Sequence, residues 1–366
     1  MKKMFIGFLI IIAILVIVVV AYLQLPLFGA NPTGERLAKI QTSLHYKNGK
    51  FQNLSDTPML TSDKSVIRAT FDMFWEADKN IKPKSPIPSI KTDLNTLPKN
   101  KDYFVWLGHS SYLLHLNQKT YLIDPVLVSA MPLPFGGKPF KGADIYTPQD
   151  MPKVDYLIIT HDHYDHLDYD TIKAMKDRIG QVITGLGNGE HFERWGFSPN
   201  QLIELDWYQA IKLGELNITA LPTRHSSGRA LKQNQTLWAS FMLQVGNKTI
   251  YIGGDSGYDV FFKDIAKQFP NIDVAIMENG QYDKDWVNIH FLPNDFIQAV
   301  KDLNPKKLLA VHNGKFVLAK HAWNEPMALL SQSAQQENLP LFTPKIGEVF
   351  YLDDNPNFEK WWEGVG

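Results

Sequence analysis

The chain contains no cysteine. That excludes thiolate nucleophiles, disulfides and zinc–cysteine sites, so any metal must be held by histidine, aspartate and glutamate. An excess of one charge is missing too: 37 Lys and Arg face 38 Asp and Glu, a net charge of −1. No global basic field therefore points to nucleic acid, and no acidic tail appears. Glycine-rich phosphate loops and fixed-period repeats are also absent. What remains is an ordinary globular composition, 44% hydrophobic over 366 residues, ample for a sizeable core.

One apolar run is long. Met4 to Leu23 carries no charge over twenty positions and follows Lys2 and Lys3. At about 1.5 Å per residue it spans about 30 Å, the hydrocarbon thickness of a bilayer. Its exit, Tyr22-Leu23-Gln24-Leu25-Pro26-Leu27-Phe28-Gly29-Ala30, puts Phe28 where a cleaved signal wants a small residue. Residues 1–30 thus read as an uncleaved, single-pass anchor in the inner membrane. Lys2 and Lys3 favour a cytoplasmic N-terminus and a periplasmic catalytic part, with Arg36 and Lys39 pulling the other way.

Residues 31–100 carry no readable chemistry and are expected to pack on the catalytic unit as an extension. Within them Ile67, Phe71, Phe74 and Trp75 fall at helical spacing and predict an amphipathic helix over Lys64 to Asp78. Its apolar face is expected on the catalytic unit, or else, because the anchor holds it near lipid, at the membrane or the substrate. Lys82-Pro83-Lys84-Ser85-Pro86-Ile87-Pro88 is a connector that cannot be helical. Strand patterns follow at 103–107, 111–116 and 120–123. Met131 to Gly142, rich in Pro and Gly, is a loop long enough to wall a pocket.

The chemistry concentrates at Thr160-His161-Asp162-His163-Tyr164-Asp165-His166-Leu167-Asp168, directly after the strand-like run 154–159. Three imidazoles and three carboxylates so close together are costly to place unless something cationic is bound. Alternate residues of extended chain point the same way, so His161 and His163 can reach one ion. Asp165 and His166, past the turn, can reach a second. Further donors stand just beyond other strand-like runs: His225 after 216–221, Asp255 after 249–252 and His312 after 307–311. Sites in α/β sheets form outside the carboxyl ends of strands, and all four groups obey that placement.

The motif His161-x-His163-x-Asp165-His166 after a strand resembles the signature of the metallo-β-lactamase-fold hydrolases. Other segments resemble one branch, the N-acyl-phosphatidylethanolamine-hydrolysing phospholipase D group and its bacterial relatives. They include Val105-Trp106-Leu107-Gly108-His109-Ser110-Ser111, Arg224-His225-Ser226-Ser227-Gly228-Arg229 and Gly253-Gly254-Asp255-Ser256-Gly257-Tyr258. The similarity runs from about residue 40 to 330. One departure is visible: Asn313 follows the final histidine where the group usually has Trp, which bears on the pocket wall.

The resemblance implies His161, His163 and His225 on one metal, Asp165, His166 and His312 on the other, and Asp255 bridging both. Asp124 would prop the metal loop from behind. Zinc suits the imidazole-rich set, with iron and manganese as alternatives. Two such ions can share a water and lower its pKa to about 7, giving a bridging hydroxide. Asp165 and Asp255 would then be catalytic as ligands. His290 is a candidate to protonate the leaving group, with a structural loop histidine as the alternative. His109 is a candidate for the substrate pocket or for a supporting place behind the metals, with a structural turn histidine as the alternative, and Arg224 and Arg229 are candidates to pair with an anionic substrate.

The expected fold is an αβ/βα four-layer sandwich over residues 101–355, with 356–366 as a C-terminal tail. The expected function is a membrane-anchored phospholipase D-type phosphodiesterase acting on N-acyl-phosphatidylethanolamine-like lipids. A lactonase or other ester hydrolase is the enzymatic alternative, and a non-catalytic envelope scaffold the alternative of another class. The oligomeric state is left open.

Overall fold

The computed structural model describes residues 2–133 and 135–365. Helix α1 (Lys2–Leu23) opens the chain; its stretch Lys3–Leu23 has a hydropathy of 3.5 and none of it is buried. By length and composition it can cross a membrane. The residues after it are not a free tether. The Arg194 guanidinium donates to the Gly29 carbonyl at 2.6 Å, Trp195 Nε1 to Pro26 at 2.8 Å, and Arg229 to Leu27 at 2.7 Å. Residues 24–30, expected as part of an anchor segment, are thus bonded into the folded body.

The extension holds α2 (Gly34–Ile40), a hairpin of β1 (Tyr46–Lys47) and β2 (Lys50–Phe51), and α3 (Val66–Trp75). Ile40, Phe51, Ile87 and Leu94 are buried in the same core as the strands that follow. Arg36 fixes α2 through ion pairs to Glu190, Glu193 and Glu204 at 2.8, 2.5 and 2.8 Å. Helix α3 starts where the Ser65 side chain accepts from Arg68 N at 3.2 Å, a serine N-cap. The helix attaches by its polar side: Lys64 joins buried Asp72 at 2.7 Å to Asp285 at 3.0 Å. Phe71 and Trp75 are instead 56% and 77% exposed, their rings stacked at 5.1 Å. The expectation that the apolar face packs on the catalytic unit is thus corrected for these two, while the side chains of Ile67 and Phe74 lie outside the described residues.

The body is built from strands β3 (Tyr103–Trp106), β4 (Tyr112–Leu116), β5 (Lys119–Ile123), β6 (Val154–Ile159), β7 (Ile179–Gly185) and β8 (Leu202–Leu205). Helices α4 (Tyr169–Met175) and α5 (Gly189–Arg194) sit among them. The second half holds β9 (Ala210–Leu213), β10 (Leu216–Leu221), β11 (Ser240–Val245), β12 (Lys248–Ile252), β13 (Val274–Glu278), β14 (Leu308–Val311), β15 (Leu341–Phe342) and β16 (Val349–Tyr351). Its helices are α6 (Phe261–Gln268), α7 (Pro293–Leu303) and α8 (Glu325–Glu337).

Two seven-stranded sheets result, ordered β16-β3-β4-β5-β6-β7-β8 and β15-β14-β13-β12-β11-β10-β9. Each changes from antiparallel to parallel pairing part-way across. Strand alternation sorts the second sheet's side chains. Phe241, Leu243 and Val245 enter the core shared with the first sheet, while Met242, Tyr251 and Ala275 meet α6 and α7 on the other face. The result is the expected sandwich of two sheets with helices outside. Residues 356–365 are no loose tail: Trp361 and Trp362 are buried, and Trp361 packs on Trp106 at 5.3 Å between ring centroids.

One lysine is buried behind the carboxyl end of β14. Lys315 is 1% exposed and its Nζ donates to the Leu107 carbonyl at 2.8 Å. Burial pushes its ammonium down to about 7 from 10.5. Between those values the unfolded chain holds a proton that the folded chain releases, so stability should rise with pH, by at most ~1.4 kcal/mol per unit. Denaturant midpoints measured at pH 7 and pH 9 should climb more for the wild type than for Lys315→Met, which lacks the titrating group.

Candidate metal centre

Strand β6 delivers the first donors. β6 ends at Ile159, the chain bends at Thr160 and again at His163, and Leu167 N donates to the His163 carbonyl at 2.8 Å before Asp168 caps α4. His161 Nε2 and His163 Nδ1 lie 3.0 Å apart. His225, from beyond β10, brings its Nε2 to 3.1 Å from the same His163 nitrogen. Three ring nitrogens thus converge on one point.

A second convergence lies beside the first. His166 Nε2 is 3.0 Å from Asp255 Oδ2 and 3.7 Å from Asp165 Oδ2. His312, past β14, puts its Nδ1 3.1 Å from Asp255 Oδ1. Asp255 stands between the groups, its Oδ2 also 3.8 Å from His161 Nε2 and 3.7 Å from His225 Nε2. Asp255 comes this close because Gly254, at φ +61°, lets its loop press on the residue that follows β6, where an added Cβ would meet Thr160 at 3.0 Å. Backbone strain gathers here as well: His109, Asp124 and His312 have φ of 53°, 40° and 67°.

The electrostatics ask for positive charge. Burial, then the neighbouring imidazoles, push His161 well below its ordinary range, and burial does the same to His225 and His312. Neutral rings have lone pairs to donate. Burial alone would raise Asp255, but His166 and His312 hold it well below the usual carboxylate range. His166 is driven the other way: Asp255, Asp165 and Asp124 overcome its burial and raise it. Among the described residues, His166 Nε2 and Asp255 Oδ1 are buried without a hydrogen-bond partner. Imidazole and carboxylate donors, aimed inward and unsatisfied, fit a divalent metal centre.

A surrounding layer fixes these rings. His166 Nδ1 donates to Asp124 Oδ2 at 2.8 Å, and Thr160 Oγ1 donates to the same oxygen at 2.6 Å. His161 Nδ1 lies 3.0 Å from Thr160 Oγ1, and His225 Nδ1 donates to the Ile289 carbonyl at 2.8 Å. Each bond leaves the opposite ring nitrogen for the centre. His109 is fully buried and donates to Asp165 Oδ2 at 3.0 Å, the contact of a supporting residue.

Both arginines, candidates for the substrate, are bonded within the protein. Arg229 is buried, and its guanidinium donates to the carbonyls of Leu27, Asp162 and Leu167. Arg224 donates to Thr57 Oγ1 at 3.1 Å, Tyr258 O at 3.3 Å and Asp56 O at 2.7 Å. These bonds use four of the five N–H groups of Arg229 and three of the five of Arg224, so each guanidinium is held chiefly by the protein's own carbonyls and hydroxyls. Asn313 is buried too, its amide donating to the Asn279 and Val311 carbonyls.

His290 does reach the centre, its Nδ1 4.0 Å from Asp255 Oδ2. It bonds at 2.7 Å to Glu278, a residue that sequence reasoning missed. Glu278 ends the apolar strand β13 and is 1% exposed; its Oε1 accepts from Ser256 N at 2.9 Å. Burial pushes Glu278 up to about 7, and Glu278 in turn overcomes burial to push His290 up to about 9. The available signal was a carboxylate closing an all-apolar strand two positions before a glycine.

A family model described as the Beta-lactamase superfamily domain matches residues 119–313. An uncharacterized protein of Mycobacterium bovis is 32% identical over 91% of both chains. The chain belongs to the beta-lactamase superfamily. Within this superfamily its metal-donor set makes it a metallo-β-lactamase-fold hydrolase resembling the N-acyl-phosphatidylethanolamine-hydrolysing enzymes. N-acyl-phosphatidylethanolamine-hydrolyzing phospholipase D 1 of Caenorhabditis elegans is 28% identical, over 84% of this chain and 93% of that one. The solved structure of Igni18, a metallo hydrolase from Ignicoccus hospitalis, shares the fold with a TM-score of 0.52 at 20% identity, covering 69% of this chain and 98% of the other.

Proposed function

We propose that this hydrolase is a phospholipase D-type phosphodiesterase acting on N-acyl-phosphatidylethanolamine-like phospholipids, held to the inner membrane by α1 with its catalytic body on the periplasmic side. The observation that carries the reading is Asp255, whose Oδ2 lies within 4.0 Å of nitrogens from His161, His166, His225 and His290. His161, His163 and His225 would hold one ion, Asp165, His166 and His312 the other, and Asp255 both; the imidazole-rich set suits zinc. Two bound divalent ions supply Lewis acidity, making a hydroxide-strength nucleophile from water near neutral pH and neutralising charge on the phosphodiester.

The chain's own residues do the rest. His109 keeps Asp165 turned inward, and Asp124 with Thr160 keeps His166 and His161 in register. His290, its Nδ1 bonded to Glu278, would give a proton from Nε2 to the departing oxygen. Water adds to phosphorus, the bond from phosphorus to the ethanolamine oxygen breaks, and that oxygen leaves protonated. The products are phosphatidic acid and an N-acylethanolamine.

The test is incubation of the full chain in detergent with N-acylated phosphatidylethanolamine, beside a lactone panel. Phosphatidic acid should appear, vanish after chelation and return with zinc. Turnover of lactones alone would replace this reading with an ester hydrolase, and turnover of neither, with no metal bound, with a scaffold.

A further inference from the structure

A groove of about 920 Å³ runs between the proline-rich connector and the loop after β5, within the size range of small-molecule sites. Its walls are apolar, with Ile81, Met131, Leu133, Phe135, Phe140 and Val317. Four lysines, Lys82, Lys84, Lys138 and Lys141, complete it, and among the described residues no carboxylate lines it. All four are exposed, and none makes an ion pair among the described residues. Cations gathered around an apolar trough without a counter-charge select an occupant with an anionic end and an apolar length.

The groove's position narrows the source. Tyr22, at the end of α1, donates to the Pro132 carbonyl, so the loop carrying Leu133 and Phe135 stands at the foot of the apolar helix. Leu133 is 43% and Phe135 74% exposed. Helix α3, with its outward Phe71 and Trp75, runs directly into Ala77 and Ile81 of the groove. Exposed apolar side chains clustered by a membrane helix lie at lipid, where lysine ammonium groups meet phosphate. The groove also touches the packing behind the centre: Val317 follows Phe316, whose ring sits 5.2 Å from that of His109.

We propose that this groove takes one acyl chain of an anionic phospholipid drawn from the bilayer, its phosphate held by Lys82, Lys84, Lys138 and Lys141. The proposal rests on the reading of α1 as a membrane anchor and is independent of turnover.

The experiment uses the full, chelator-treated chain in phosphatidylcholine nanodiscs containing a phosphatidylglycerol with a diazirine at the end of one acyl chain. After irradiation, adducts are mapped by mass spectrometry. They should fall in residues 77–86 and 131–141, at least fivefold above those from a phosphatidylcholine carrying the same photolabile chain. Reversing the four lysines to glutamate should lower them fivefold or more, and so should Val317→Trp, which fills the trough without altering charge. Adducts confined to Lys2–Leu23, equal labelling from both head groups, or no adduct in either segment would overturn the proposal. Co-elution of protein with discs after a high-salt wash reports separately on the anchor; protein that leaves the discs overturns anchor and groove together.

Discussion

Asp255→Ala is expected to abolish turnover, by at least ~10³-fold in kcat/KM, or about 4 kcal/mol of lost transition-state stabilisation. The reason is position. Asp255 approaches His166 at 3.0 Å on one oxygen and His312 at 3.1 Å on the other, with His161 and His225 within 3.8 Å. Removing it takes a donor from both convergences at once. His163→Ala removes a donor from one only, since His163 meets His161 and His225 but no carboxylate of the second group. The two variants should therefore differ in metal content. Elemental analysis should find close to none in Asp255→Ala and about one equivalent in His163→Ala, with circular dichroism unchanged in both. Retained turnover in both would count against the proposed chemistry.

Deleting residues 1–31 is expected to destabilise the protein by about 3–5 kcal/mol, whereas deleting 1–23 should cost little. No residue of the apolar stretch of α1 is fully buried, and at its end Tyr22 packs on Phe28 and donates to the Pro132 carbonyl. The residues after it contribute much. Arg229 is 5% exposed and gives two of its bonds to the Leu27 carbonyl, at 2.7 and 3.2 Å. Arg194 loses Gly29 as well, Trp195 loses Pro26, and His191 loses the Ala30 amide at 3.0 Å. A buried guanidinium left with donors unsatisfied is the dominant penalty. Thermal melts of chains beginning at Gln24 and at Pro32 would measure the difference directly; equal melting temperatures would refute it.

Much of the centre is legible in the sequence, because its donors stand immediately after apolar runs that can only be strands. His161, His225, Asp255 and His312 share that signature, and strand ends meet where a sheet sandwich opens. Glu278 has the same placement but is a single carboxylate in a chain full of them, and only its 2.7 Å contact with His290 marks it out. The bonds of the arginines are hidden for the opposite reason. Sequence puts Arg224 and Arg229 beside a donor, yet guanidinium hydrogen bonds are decided by carbonyls from Leu27 or Asp56, remote in the chain. Likewise the periodicity over 64–78 finds a helix, but its orientation is set by Lys64 reaching Asp285, a long-range ion pair that periodicity does not encode.

The first sheet's outermost strand, β16, pairs with β3 through Phe350 and Phe104, joining opposite ends of the catalytic body. While the chain is being made, the backbone edge of β3 has no partner until ribosomes have passed Tyr351. An open edge is a template for misassembly. A nonsense mutation just before Val349 would spare all seven donors of the centre and still yield an adhesive, unfinished sheet, so its damage would be read in aggregation and not in chemistry.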